Sequence, residues 1–120
     1  MIALFAALML APADAPFMCA CAPDPKPADI EFEGVAIDAL LTATPDGGAV
    51  APRQATLFRV PRAIKGEAKT PMKVWHFVNP QRCGVSFNYA SSYRVKARVK
   101  NGEAETDACL MPELKVKPGE

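Results

Sequence analysis

The sequence predicts an all-β fold, one small five-stranded barrel whose N-terminal segment is stapled down by disulfides. Three features carry that expectation. Apolar residues alternate with polar ones in several short runs, and no segment shows a convincing helical period. Gly- and Pro-rich connections separate the runs. Four cysteines, two of them in Cys19-Ala20-Cys21, give an even number of thiols to a chain of 120 residues, the size of one domain.

The N-terminus is a different kind of sequence from the rest. An unbroken apolar run from Ile2 to Ala11 is followed by Ala13-Asp14-Ala15, a small-x-small site. That pattern reads as a secretory signal peptide over residues 1–15, with the domain over 16–120; the run is too short to span a bilayer. The alternative is a buried N-terminal helix, and no Lys or Arg precedes the run as a leader usually requires. Export to an extracellular or periplasmic space places the cysteines where disulfides form and persist. The formal net charge of +1 gives no general argument for nucleic acid or an anionic membrane as partner.

Beyond the leader, Cys19 and Cys21 stand at i and i+2, so on an extended backbone they point to one side and can be bonded to two distant segments, those of Cys83 and Cys109. A Cys19–Cys21 bond would close a tiny strained ring, which leaves two crossed pairings open. Three prolines at 23, 25 and 27 make a stiff extended lead-in. Ile30 and Phe32 alternate with Glu31 and Glu33. The apolar phase then continues as Val35, Ile37, Ala39 and Leu41, the signature of a β-bulge at Gly34 in a long bending strand. Thr44-Pro45-Asp46-Gly47-Gly48 is turn chemistry. A second strand, Ala55–Val60, runs past Pro61 to Ile64 as an edge or bulged segment. The third, Met72–Val78, is apolar on both phases and reads as a central strand covered on both faces.

The clearest local signal is Tyr93–Lys100, then Asn101-Gly102, then Glu103–Cys109, a two-residue type I′ hairpin. Its register sets Lys100 against Glu103, Arg98 against Glu105 and Lys96 against Asp107. On the other face Val99, Ala97 and Val95 meet Ala104, Thr106 and Ala108. Arg94, Lys96, Arg98 and Lys100 alone would resemble a nucleic-acid stripe, but three of the four face a carboxylate, so nucleic acid is not expected as a partner. Leu110–Leu114 reads as a short turn and Lys115–Glu120 as a frayed tail.

Enzymatic readings find little support. His76, the one histidine, lies in an apolar strand without a spaced carboxylate or nucleophile, and Ser86, Ser91 and Ser92 lack the frame of a nucleophile elbow. No Lys-Ser/Thr follows Gly47-Gly48 to make a phosphate loop, and no cofactor motif is present. The four cysteines could in principle wrap zinc as thiolates. Structural zinc sites, however, use C-x₂₋₄-C knuckles, whereas here the one close pair is C-x-C.

Five strands, a bulge and these connections match an OB-type barrel better than an immunoglobulin-like sandwich, for which too few strands are visible. The same residues resemble the netrin-like module, and within it the N-terminal domain of the tissue inhibitors of metalloproteinases. The matching pieces are Cys19-Ala20-Cys21 after a leader, Phe32-Glu33-Gly34-Val35, Phe58-Arg59-Val60 leading to Lys65-Gly66, Cys83-Gly84 with Phe87, Tyr93-Arg94-Val95, and Thr106 before Cys109. They run in the family's order over nearly the whole chain after the leader. A second cysteine-rich domain and a further disulfide of the animal inhibitors have no counterpart here, so the resemblance is to a single-domain, prokaryotic-type member. It implies pairing of Cys19 with Cys83 and of Cys21 with Cys109. It also implies a secreted, non-enzymatic protein-binding module whose contact edge is Cys19, Ala20, Cys21 and Ala22. The partner implied is a zinc metalloprotease or another extracellular protein, with the Cys19 backbone as ligand to the partner's zinc when Cys19 is the N-terminus. The competing expectation is a structural or envelope-associated OB-fold domain without inhibitory activity.

Overall fold

The computed structural model describes residues 19–24 and 26–116, and five strands among them close into a barrel. In chain order these are β1 (Ile30–Leu40), β2 (Arg53–Lys65), β3 (Met72–Phe77), β4 (Ser92–Lys100) and β5 (Glu103–Glu105). Their spatial order is β1-β2-β3-β5-β4, with β4 closing back on β1. Pairing is antiparallel throughout except for the short parallel contact of β3 with β5. The predicted five-stranded OB-type barrel is therefore present, closed at its shortest seam by two residue pairs between β3 and β5. The predicted leader lies outside the described residues.

β1 is the strand on which the barrel bends. Its inward residues are Ile30, Phe32, Gly34 and Ala36, so the phase does not change at Gly34 as the sequence suggests; Val35 is half-buried and Ile37 is exposed. Register with β4 runs unbroken from Ile30↔Ala97 to Val35↔Ser92, while register with β2 slips at three places, one of them between Glu33 and Val35. There, Val60 and Pro61 of β2 stand opposite Gly34 alone. Pro61 has no N–H to give the ladder, and the Val60 N–H goes to Thr70 Oγ1 at 2.7 Å. The irregularity at Gly34 thus belongs to its partner strand. The glycine is needed for space: a Cβ here would lie 2.6 Å from Phe32 Cε1 and 3.1 Å from Phe58 Cδ1.

Inside the barrel, Phe32, Phe58, Val74 and Val95 have no exposed surface, and Met111, from the segment after β5, is buried in the same cluster. Phe58 stands edge-on to Phe32 (5.5 Å between centroids) and to Phe87 (5.0 Å), and Phe87 stands edge-on to His76 and Tyr93. Edge-to-face pairs of this kind add about 0.5–1.5 kcal/mol each beyond burial and fix ring orientation. β3 is covered on one face only. Val74 and His76 are buried, whereas Lys73 is exposed and Trp75 and Phe77 are half-buried beneath the guanidinium groups of Arg53 and Arg82.

The hairpin turn forms as predicted, with Asn101 and Gly102 both at positive φ, and Lys100↔Glu103, Val99↔Ala104 and Arg98↔Glu105 pair as the sequence requires. The ladder stops at Glu105. Thr106 leaves it, giving its N–H to Trp75 O and its hydroxyl to Lys96 O. Asp107 turns back so that its Oδ1 accepts from the N–H groups of Cys109 and Leu110. The predicted pairs Lys96–Asp107, Ala97–Thr106 and Val95–Ala108 are therefore absent from the ladder, because the backbone donors of this segment go instead to Trp75 O, Cys83 O and Asp107. Lys96 instead stands opposite Glu31 of β1. Lys115 and Val116 do not fray: Lys115 bridges to Val85, and the Val116 N–H donates to Gly84 O.

His76 is a core histidine. Its Nδ1–H donates to Phe77 O at 3.1 Å, which leaves Nε2 to accept the Thr56 hydroxyl at 2.7 Å. Burial pushes its pKa below the ordinary imidazole value of 6.5, partly opposed by hydrogen bonding to Phe77. The folded protein thus takes up this proton less readily than the unfolded chain. The stability due to the neutral ring is complete above pH 6.5 and is lost as pH falls below it toward the folded pKa.

Two outcomes are expected. His76 should titrate below pH 6.5 by NMR, with urea midpoints falling as pH is lowered through that range, and Thr56→Val, which removes the ring's donor, should cost about 1–3 kcal/mol at pH 7. Lys96→Glu should cost up to about 1 kcal/mol and be recovered by Glu31→Lys rather than by Asp107→Lys, as a double-mutant cycle would register.

Candidate functional site

Cys19 is bonded to Cys83 and Cys21 to Cys109, the pairing that the resemblance implies. The two receiving cysteines are far apart in sequence and are brought together by backbone. Cys83 follows the 3-10 turn Pro80–Arg82, where it takes a left-handed conformation with φ 55° and its N–H bonds back to Pro80 O. Its carbonyl then accepts the Ala108 N–H at 2.9 Å. Gly84 packs so tightly against the chain that a Cβ would meet the Val78 carbonyl carbon at 2.5 Å and Asn79 N at 2.7 Å. Asp107, by capping the Cys109 and Leu110 amides, orients the second cysteine. The Sγ atoms of Cys83 and Cys109 end 3.9 Å apart, and the two disulfides lie side by side.

This arrangement sets the character of the N-terminal edge. Cys19 is half-buried, while Ala20, Cys21 and Ala22 are exposed. Among the described residues no backbone hydrogen bond engages Cys19–Ala22, so the sulfur bridges are the attachments that hold the segment on the barrel. The four sulfurs lie within 4.8 Å of one another, a spacing that thiolates around a metal could match. All four are disulfide-bonded, and with its sulfurs oxidised the edge offers a metal no thiolate ligand. Beside it runs a shallow groove to which Lys26, Arg98 and Asp107 contribute.

The basic stripe of β4 is only partly paired with carboxylates, and not with those the hairpin register suggests. Arg94 pairs with Glu31, and Lys96 stands across from that same residue. Glu103 and Glu105, expected to serve Lys100 and Arg98, are instead bridged by Arg53 at 3.6 and 2.9 Å. Arg53 lies just after the β1–β2 connection and carried no sequence signal of a role here. Its place is decided by the pairing of β2 with β3, which sets it over Trp75 with 4.5 Å between guanidinium carbon and ring centroid.

The bonds enclose 64 and 88 residues of sequence separation, but they are not independent. Once Cys19 is tied to Cys83, the second bond closes only the short ring through Ala20 and the 26-residue separation of Cys83 and Cys109. Replacing Cys21 and Cys109 together by serine should therefore cost about 3–4 kcal/mol in urea unfolding, less than the full loop length implies. A scan of the chain against protein-family models and a search of curated proteins both give no match.

Proposed function

We propose that this protein is an exported, non-enzymatic module that binds another protein through the Cys19–Ala22 edge, and that the partner is a zinc endopeptidase. The observation that carries the reading is the pair of adjacent disulfides fixing on the barrel a largely exposed tetrapeptide that has no other hydrogen-bonded attachment among the described residues. A pre-ordered peptide edge binds without the entropy loss of ordering a loop, which is what a protein has to gain from two covalent anchors at one spot. In the inhibitors this chain resembles, the α-amine and carbonyl oxygen of the first cysteine chelate the protease zinc in place of its water. Cys19 takes that role here. An α-amine with a pKa of about 8 gives up its proton readily to a competing zinc ion.

Chelation requires that the chain begin at Cys19. Cleavage of the leader after Ala15 leaves Pro16-Phe17-Met18 in front, whereas cleavage directly before Cys19 would need Pro16 and Met18 where small residues are preferred. That observation favours a second reading, a structural or envelope-associated domain with no inhibitory activity. Ala20 adds to the contrast, because a methyl side chain fills little of a protease pocket and holds affinity down even with the correct start.

Export is supported by the leader pattern together with two disulfides in place. No helix among the described residues is long and apolar enough to cross a membrane. The non-enzymatic reading is supported by His76, which is buried, held neutral and engaged at both ring nitrogens.

The test compares two preparations, one beginning at Pro16 and one engineered to begin at Cys19, against a panel of zinc endopeptidases. The first should not inhibit and the second should inhibit some of them weakly. Equal inhibition by both refutes chelation by Cys19, and inhibition by neither supports the structural reading.

A further inference from the structure

A cleft of about 580 Å³ opens next to the N-terminal edge, on the outer surface of β3, β5 and β4. Its floor is a row of paired residues, Trp75 of β3, Glu105 of β5 and Arg98 of β4, which the sheet register sets side by side on one face. Five basic side chains line the cleft against three acidic ones. The acids are all engaged within the chain. Glu105 accepts from Arg53, Asp29 from the Val99 N–H, and Asp107 from the Cys109 and Leu110 N–H groups. The bases are not matched in the same way. Among the described residues Lys26, Arg82, Arg98 and Lys100 have no carboxylate partner. Arg98, although directly opposite Glu105, sends its Nη2 to Lys26 O at 3.2 Å and leaves a buried Nε without an acceptor; Trp75 Nε1 is likewise buried without one.

The geometry points to this cleft as a binding site for an extended acidic segment of a partner protein, whose carboxylates take Arg82, Arg98 and Lys100. The surplus in the cleft is of hydrogen-bond donors and positive charge, and carboxylates supply the missing acceptors, singly or in two-point contact with a guanidinium. A single-stranded nucleic acid fits less well. Sequence-tolerant binding of bases needs free aromatic faces, and here Arg53 sits over Trp75 and Arg82 over Phe77. Asp29, Glu105 and Asp107 also interrupt the positive surface, which suits separate carboxylates better than a continuous run of phosphates. The cleft is continuous with the proposed contact edge, because Lys26, Arg98 and Asp107 line both it and the groove beside Ala20, Cys21 and Ala22. A protein seated on that edge therefore reaches the cleft with its adjoining chain. The inference does not depend on zinc chelation or on where the chain begins.

The test uses the disulfide-bonded protein and N-acetylated, C-amidated hexaglutamate as probe. Trp75 is the only tryptophan, so its indole N–H gives one resolved NMR signal at the centre of the cleft. Titration should move that signal saturably, and added salt should weaken the binding. Arg82→Gln combined with Lys100→Gln, both exposed positions, should weaken it about tenfold. Arg62→Gln, which disturbs only the ion pair with Glu33, should leave it unchanged. An indole signal that does not move, an equal loss in the Arg62 variant, or tighter binding at that signal by a hexanucleotide or a sulfated oligosaccharide of equal charge would each overturn the proposal. Amide dispersion retained in every variant shows that the barrel is intact in the comparison.

Discussion

The structure depends on the meeting of Cys83 and Cys109. They are 26 positions apart in sequence, and the whole of β4 and of the β4–β5 hairpin lies between. The hydrogen bond from the Ala108 N–H to Cys83 O, the tight seating of Gly84, and the Asp107 cap on the following turn bring the two sulfurs to 3.9 Å. Only with both in place can Cys19 and Cys21, two residues apart, be held at once. The barrel thus builds the socket and the disulfides hold the edge in it. This order of dependence explains why the turn after β5 takes Asp107 out of the hairpin ladder: a residue that caps two amides next to Cys109 cannot also extend a strand.

A compact aromatic chain runs through the barrel's otherwise mainly aliphatic core. Phe32, Phe58, Phe87, Tyr93 and His76 meet edge to face, and the space they need above β1 is what excludes a side chain at Gly34. The polar member of this chain is accommodated because both its nitrogens are satisfied, one by Thr56 and one by Phe77 O. A histidine so placed strengthens the core at neutral pH and weakens it in acid, since protonation would turn the Nε2 acceptor into a donor facing a charge-excluding interior.

Electrostatics follow the same logic of register. Strand alternation puts Arg94, Lys96, Arg98 and Lys100 on one side, but which carboxylate meets which base is settled by neighbouring strands. Glu31 of β1 serves Arg94, and Arg53 of β2 reaches across β3 to Glu103 and Glu105. Once Arg53 occupies those two carboxylates, Arg98 and Lys100 are left over. An outer face that reads as balanced in sequence becomes, after folding, a cleft with donors to spare.

The sequence by itself determined the class of fold, most strand limits, the Asn101-Gly102 turn and the first three pairs of its hairpin. Each of these is encoded within a few residues, by alternation, by positive-φ turn chemistry or by a proline that cannot join a ladder. Cysteine spacing alone left the two crossed disulfide pairings equally open, and the spatial placement of Cys83 and Cys109 chose between them. Tertiary structure also decided which strand carries the irregularity at Gly34, because a bulge belongs to a pair of strands and a single strand's pattern cannot assign it. It decided that Trp75 and Phe77 lie under arginines at an outer face, when their apolar run reads as fully buried. The pairing of Arg53 with Glu103 and Glu105 joins residues about fifty positions apart, and it needs both the β2–β3 pairing that sets Arg53 over Trp75 and the parallel contact of β3 with β5.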